Sequence, residues 1–393
     1  MTHSHLEHAN DLEPSVGHRV LRQERPLHRE DANDPPFYVV SRYADVLDVV
    51  KRPGEWINGD GVGVFFQPGG VLGTTDDPDH RRQRKVLQDA FRPAAIAALE
   101  PRVQAVGERR WGEAFDRDGE GDFVRLFAFP FPALVIAELL GVPAERQDDF
   151  GRWSDDIVNG LGGGDLALVE QANREIFALV DELVERRSRL LAADQPVPGD
   201  VLSILTRAKL AGDLSHGEVR RLSQQLLVAG HETTASLISL MLYRLIERPE
   251  LMAQLRSDPD LVPAAVEEFL RFDSPVQGLF RVNPTGCPVR DQELPAGTKL
   301  QVLFASANRD DEVWDEPDEI RLDRHRRAGD GSSRPHLAFG WGIHHCIGAP
   351  LARQEGRLAL RWMVERFADV ELVGPVAVNE PFILRGLTTM PIR

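Results

Sequence analysis

The chain reads as a mainly α protein of one large domain, with small β-sheets at its margin. Three observations lead there. Apolar residues recur at helical spacing over much of the chain, without the alternation of strands and helices that a doubly wound sheet requires. Ser215 opens the longest periodic run, which passes through Leu222, Leu226, Ala229, Leu237, Leu240 and Met241 and stops before Pro249, long enough to cross the whole domain. Strand-like stretches come late, at 299–304, 370–373 and 383–392, the last with a turn near Gly386.

In order, residues 1–34 are polar, rich in His and Glu, and carry no apolar run for a signal peptide or spanning helix. A loose arm is expected there, ahead of a single domain over 35–393. Pro35-Pro36 precedes a predicted strand, Phe37 to Val40, and Tyr43 to Lys51 reads as a helix stopped by Pro53. Residues 58–73 form a Gly-rich loop with Phe65 and Phe66. Loops that carry aromatic rings often line sites, although the two rings serve equally well as anchors on the core. Asp77-Pro78 reads as a cap with Pro at the first helical position. The helix that follows sets His80 and Arg84 on one face, among Arg81, Arg82 and Lys85. Helical patterns then cover 94–115, 131–140, 144–160 and 166–192, and Ser215 with Glu218 forms a capping box.

The chain has 393 residues, 42% of them hydrophobic, enough for a sizeable core. Its net charge of −16 argues against nucleic acid and against an anionic membrane surface as partners. It has two cysteines, and if Cys346 carries a metal then Cys287 has no partner; a reducing cytoplasm fits.

The stretch Phe339-Gly340-Trp341-Gly342-Ile343-His344-His345-Cys346-Ile347-Gly348 carries the chemistry. A single cysteine follows a Gly-rich turn and precedes Ala349-Pro350-Leu351, a helix start with Pro in its first turn. That placement is expected to lower its pKa and favour thiolate. The glycines allow close approach to something flat and bulky, and a thiolate there suits iron. Alternatives are a buried structural cysteine and a zinc site of His344, His345 and Cys346, whose adjacency makes a poor tetrahedral set. The segment resembles the FGxGxHxCxG signature of the cytochrome P-450 haem-thiolate monooxygenases. A second resemblance lies in the long helix at Ala229-Gly230-His231-Glu232-Thr233-Thr234. Read plainly, it is a weak spot in the helix; read functionally, it is a local widening where a ligand meets the helix. It is similar to the family's Ala/Gly-Gly-x-Asp/Glu-Thr-Thr/Ser pattern.

The resemblance covers about Pro36 to the end, and its implications are expectations. It implies a P-450-like fold whose long helix crosses the haem, haem b as cofactor with Cys346 as iron ligand, and Phe339, Gly340 and Gly348 framing the group. Glu232 and Thr233 are then the acid–alcohol pair that delivers protons during dioxygen activation. His80, Arg84, Arg281 and His336 are the family's positions for cations on the haem propionates. Glu268 and Arg271 form a buried structural network closed by Arg324, with Arg326 and Arg327 close by. Substrate contacts fall on Phe65, Phe66, Ala229, Val276, Leu279, Phe280 and Leu387. The implied reaction inserts one atom of O2 into a small apolar substrate, with electrons from NAD(P)H through a separate ferredoxin and reductase. The ferredoxin is expected on the cysteine side, at His80 to Lys85 with Arg92, Arg353 and Arg357, and the protein is expected to be a cytoplasmic monomer. Rival readings are a peroxide-driven haem-thiolate enzyme, which typically lacks the acid–alcohol pair, and a non-catalytic haem sensor, which needs no proton relay.

Overall fold

The computed structural model describes Leu12 and residues 15–63, 69–115, 120–161, 166–326, 334–379 and 382–393. Helix α1 (Ser15–Glu24) and strand β1 (Leu27–Glu30) lie within the stretch expected to be a loose arm. The arm is therefore not loose over these residues. Leu21 is buried, and the buried Arg22 guanidinium donates to the Ser306 carbonyl at 3.2 Å and to the Ser306 hydroxyl oxygen at 3.1 Å. One buried apolar side and one long-range arginine fasten a segment whose overall polarity suggested solvent. Strand β1 pairs antiparallel with β2 (Phe37–Val40), the strand predicted there. Helix α2 (Tyr43–Val50) follows and buries Tyr43, Val46, Val49 and Val50, one face at helical spacing.

Helix α3 (Asp79–Leu87) has Pro78 as its N-cap, one residue later than the sequence suggests, and the Asp77 carboxylate accepts from Arg81 at 2.7 Å. Then come α4 (Pro93–Phe115), β3 (Gly121–Asp122), a π-helical turn at Val124–Ala128, α5 (Pro130–Leu140), α6 (Gln147–Leu161), α7 (Leu166–Ala192) and α8 (Val201–Ala211). The centre is α9 (His216–Glu247), 32 residues long, hence about 48 Å at 1.5 Å per residue. Its start is a reciprocal cap: Glu218 N–H donates to Ser215 Oγ at 3.2 Å, and Ser215 N–H to Glu218 Oε2 at 2.7 Å.

Helices α10 (Pro249–Ser257) and α11 (Val262–Asp273) lead to β4 (Leu279–Asn283), β5 (Cys287–Val289), β6 (Gln292–Leu294), β7 (Thr298–Val302) and α12 (Phe304–Ala307). After the cysteine segment come α13 (Ala349–Arg366), β8 (Ala377–Val378), β9 (Leu387–Thr389) and β10 (Pro391–Ile392). Helix α9 packs against α5, α6, α7, α11 and α13. The largest sheet runs β1-β2-β7-β4, with β2 and β7 parallel and the other pairs antiparallel. The strand expected at 370–373 is only a bridge, Leu372 to Ile392.

Glu268 on α11 is fully buried and is met by three hydrogen-bond donors and a histidine ring. Arg271 binds it at 2.8 and 2.9 Å, Arg324 Nε at 3.0 Å, the Arg321 N–H at 2.9 Å, and His325 Nε2 lies 3.2 Å away. Burial pushes this carboxyl up, but Arg271 and His325 hold it down at about 2. Arg326 lies outside the cluster, paired with Asp258 at 3.0 Å. The cluster joins α11 to the chain that leads into the cysteine segment. Removing one member of such a buried pair typically costs about 3–5 kcal/mol.

Candidate active site

The cysteine segment is held by its own backbone. Cys346 N–H donates to the Phe339 carbonyl at 2.9 Å, and Gly340 N–H to the Leu337 carbonyl at 2.9 Å. Gly340 and Gly342 have φ of +66° and +69°, conformations that side chains resist. Gly348 does not need its freedom: its φ is −80°, and a Cβ there would meet Cys346 Sγ at an ordinary 3.8 Å. The Cys346 side chain is deep in the protein yet accessible, because it opens into a cavity of about 270 Å³. Its thiol is pushed up by burial, against the lowering pull of the Gly348 and Ala349 N–H groups, Arg84 and Arg353. The expected lowering at the helix start is therefore present but outweighed by desolvation.

Basic side chains line the same cavity: His80 and Arg84 from α3, Arg281 from β4, and His344 with its neighbour His345 from the cysteine segment. The His80 and His344 rings are 4.3 Å apart. His80 Nε2 and both ring nitrogens of His344 are buried without hydrogen-bond partners among the described residues. Burial, then Arg281, His80 and Arg84, drives His344 down to about 3; burial lowers Arg281 to about 10. Burial is the main cause throughout, and Asp77, 3.6 Å from His80 Nδ1, and Asp76 oppose it only in part.

Helix α9 supplies another wall. Ala229, Gly230, Thr233 and Thr234 line the cavity. The helix stays α-helical through this stretch, so the local widening does not occur. Gly230 has a packing reason: a Cβ there would lie 2.5 Å from Ile136 Cδ1 of α5. Thr233 Oγ1 donates to the Ala229 carbonyl at 2.8 Å. His231 points the other way, with Nε2–H donating to the Phe129 carbonyl at 2.8 Å and Nδ1 accepting from the Ser154 hydroxyl at 2.6 Å. Burial holds it near 4, so it is neutral and fixes the rotation of α9 at this point. Glu232 is half-buried and is not part of the cavity wall. Glu355 of α13 is: it is 1% exposed, its Oε2 has no partner, and burial alone raises its pKa well above the carboxylate range.

The sequence model of cytochrome P-450 matches residues 154–391. Cytochrome P-450 107B1 of Saccharopolyspora erythraea is 36% identical over 356 residues, 88% of this chain and 81% of that protein. The vitamin D(3) 25-hydroxylase of Pseudonocardia autotrophica is 35% identical across 96% of this chain and 93% of its own. The chain belongs to the cytochrome P-450 family. Among solved structures, the cytochrome P-450 PksS of the Bacillus subtilis bacillaene polyketide synthase superposes with a TM-score of 0.85 at 29% identity, covering 100% of this chain and 99% of that one. Relatives include enzymes named as hydroxylases and an epoxidase, and the protein is a monooxygenase of this type. Among the described residues, α9 is the one helix long and apolar enough to cross a membrane, and it is buried as the core of the fold.

The residues present fit the haem that a cytochrome P-450 carries. The orphaned nitrogens of His80 and His344, with Arg84 and Arg281, offer donors and positive charge for two carboxylates, and the open Cys346 sulfur offers a ligand. His336, expected among these cations, lies elsewhere. Its Nδ1 accepts from the Ala338 N–H at 3.3 Å, so Nε2–H faces Glu267 of α11 at 3.1 Å, in a second cavity behind Phe339. Glu267 also binds Arg353, at 2.7 Å. His344, the fixed histidine of the signature itself, lines the cavity instead.

Ala229, Val276 and Leu279 line the cavity as expected. Phe280 does not: neighbours on a strand face opposite ways, so Leu279 and Arg281 point in while Phe280 packs on Phe37 and Phe382. Leu387 is buried in the main core instead. Phe65 and Phe66 lie outside the described residues. Glu355 went unnoticed, although a signal existed: it falls between Leu351 and Leu358–Ala359 on the buried stripe of α13, where a carboxylate is out of place.

Proposed function

We propose that the protein inserts one atom of O2 into a small, largely apolar organic substrate, with electrons from NAD(P)H delivered by a separate ferredoxin and reductase, as a cytoplasmic monomer. The cofactor is haem b, which supplies the activation of dioxygen when bound. Cys346 is its thiolate ligand, stabilised by the Gly348 and Ala349 N–H groups and by Arg84. Arg84 and Arg281 neutralise the propionates, and His80 and His344 donate to them as neutral rings. Phe339 and Gly340 shape the turn that would hold the group, with the Arg353 guanidinium over the Phe339 ring, 4.5 Å from its centroid. Glu232 takes up protons from outside, and Thr233 passes them on by turning its hydroxyl from the Ala229 carbonyl to the cavity. The apolar wall of Ala229, Val276, Leu279 and Leu237 receives the substrate and excludes water.

The observation that carries this reading is one cavity lined by an open cysteine sulfur, the basic groups His80, Arg84, Arg281 and His344, and the Thr233–Thr234 pair. Turnover is the test. With ferredoxin, reductase, NAD(P)H and O2, a substrate found by screening should be hydroxylated or epoxidised. Turnover supported by hydrogen peroxide alone and absent with the electron-transfer partners would overturn it.

A further inference from the structure

One corner of the cavity is polar without being cationic. Asn58 and Gln225 both line it, on either side of Gly73. Asn58 is 2% exposed and rigidly placed. Its neighbour Ile57 is bridged to Val282 of β4 by two backbone hydrogen bonds, 2.9 and 3.0 Å. Its own N–H donates to Asp76 Oδ1 at 2.8 Å, and the Gly59 N–H to Asp76 Oδ2 at 2.7 Å. The side-chain amide is fixed as well. Asn58 Nδ2 donates to the Gly73 carbonyl at 2.8 Å, and since a carbonyl only accepts, the amide cannot be turned over. Oδ1 is therefore held on the other side, where it is buried and without a partner. Across Gly73, a Cβ on that glycine would lie 3.2 Å from Gln225 Nε2, so the glutamine amide sits against the same turn. Gln225 Oε1 is also buried and unpartnered, and nothing among the described residues fixes which way that amide points.

A buried acceptor without a donor is costly unless a ligand or water completes it. The haem carboxylates cannot do so, because they too are acceptors; the basic groups serve them. We propose that Asn58 Oδ1 and the Gln225 amide form a recognition site for a hydroxyl group on an otherwise apolar substrate. The hydroxyl donates to Asn58 Oδ1. Its oxygen accepts from Gln225, whose amide is free to turn. This inference rests on the monooxygenase reading of the cavity and narrows its substrate to apolar alcohols. Because Asn58 is set by Asp76, Gly73 and β4 before anything binds, the site selects without paying to order the acceptor.

The test uses the haem-loaded protein and matched probes: 1-adamantanol with 1-methoxyadamantane, and cyclododecanol with its methyl ether. Each ether keeps the carbon body and the oxygen but loses the donor. Affinity is read from the haem absorbance shift and, independently, from the rise in unfolding temperature. At least one alcohol should bind, and about tenfold more tightly than its ether. Gln225→Leu should reduce that preference, and Asn58→Leu should remove it and tighten the ether. Should Asn58→Leu fold poorly, Gln225→Leu alone decides. Equal affinity within both pairs, an unchanged preference in the variants, or no binding by either alcohol overturns the proposal. A protein that forms no reduced carbon monoxide haem-thiolate spectrum refutes the underlying reading instead, so the two failures are separable.

Discussion

Glu355 is a carboxyl group buried in the wall of the active-site cavity, where desolvation favours its neutral form. Its ordinary value is 4.5, and burial raises it well above that. A group whose folded pKa is raised binds more protons folded than unfolded, so its contribution is present below the unfolded value and is lost as pH rises from there towards the folded one. Glu355→Gln keeps the shape and removes the titration. The variant should match the wild type near pH 4 and become more stable than it as pH rises, checked by denaturant unfolding across that window. A second residue-scale prediction concerns Thr233. If its hydroxyl passes protons, Thr233→Ala should keep haem, fold and substrate binding, still consume NAD(P)H, and release most of the reducing power as hydrogen peroxide. Product, peroxide and cofactor are counted in one reaction. Acid–base groups typically contribute about 100-fold or more, so the change should be large. Thr234→Ala is the control and should be milder; if it uncouples while Thr233→Ala stays coupled, the register is wrong by one. At this scale the sequence carries identity better than orientation. The signature and the Glu268 cluster are visible in the letters, whereas Leu279–Asn283 carries no strand signal in the sequence, so the alternation that turns Phe280 away from the cavity is legible only in the structure. His336 and His344 look alike in sequence; Glu267, 69 residues from His336, decides between them.

At the scale of elements, the stretch of α9 around Gly230 has two tasks that share one residue. A glycine inside a helix costs about 1 kcal/mol against alanine. Here it lets Ile136 of α5 approach the helix axis, where a Cβ would lie 2.5 Å from Cδ1 and 2.8 Å from Cγ1. Gly230→Ala should therefore lower the unfolding temperature, because overpacking of about 1–3 kcal/mol exceeds the gain in propensity. Ile136→Ala removes both Cγ1 and Cδ1, and in that background the same substitution should cost little. Additive losses in the double variant would show that the two residues do not couple. Helices were readable where their periodicity was long: 166–192 is α7 itself, and the Ser215–Glu218 box starts α9. They were missed where a buried face is short or held by polar anchors, as in α1, whose Arg22 reaches Ser306. The strand expected at 299–304 ends at Val302 because Phe304 turns into α12, a boundary that apolar content alone cannot mark.

Across the whole molecule, charge is arranged more locally than its total of −16 implies. The basic run of α3 is largely spoken for. Arg81 pairs with Asp77, and Arg82 with Asp79 and Glu218; His80 and Arg84 turn inward. Beside the cysteine segment Arg353 is bound to Glu267, and Arg92 pairs with Asp89. Arg81 is still 81% exposed and Lys85 is exposed, and exposed pairs exchange partners at little cost. If an acidic ferredoxin docks here, the electron-transfer rate should fall as salt rises, and Arg81→Glu with Lys85→Glu should slow it at low salt and flatten the dependence. Arg82 is a poor choice for that test, since its loss also loosens the cap of α9. A rate that ignores salt in both proteins would place the partner elsewhere.

If one cavity gathers a cysteine ligand for haem and the cations to hold it, the absorbance of the reduced carbon monoxide complex will report it. The wild type and Cys287→Ser, whose cysteine is buried on β5 away from the cavity, should both give the haem-thiolate band. Cys346→Ser should lose it. A haem-thiolate spectrum that survives Cys346→Ser, or that disappears with Cys287→Ser, would contradict the assignment.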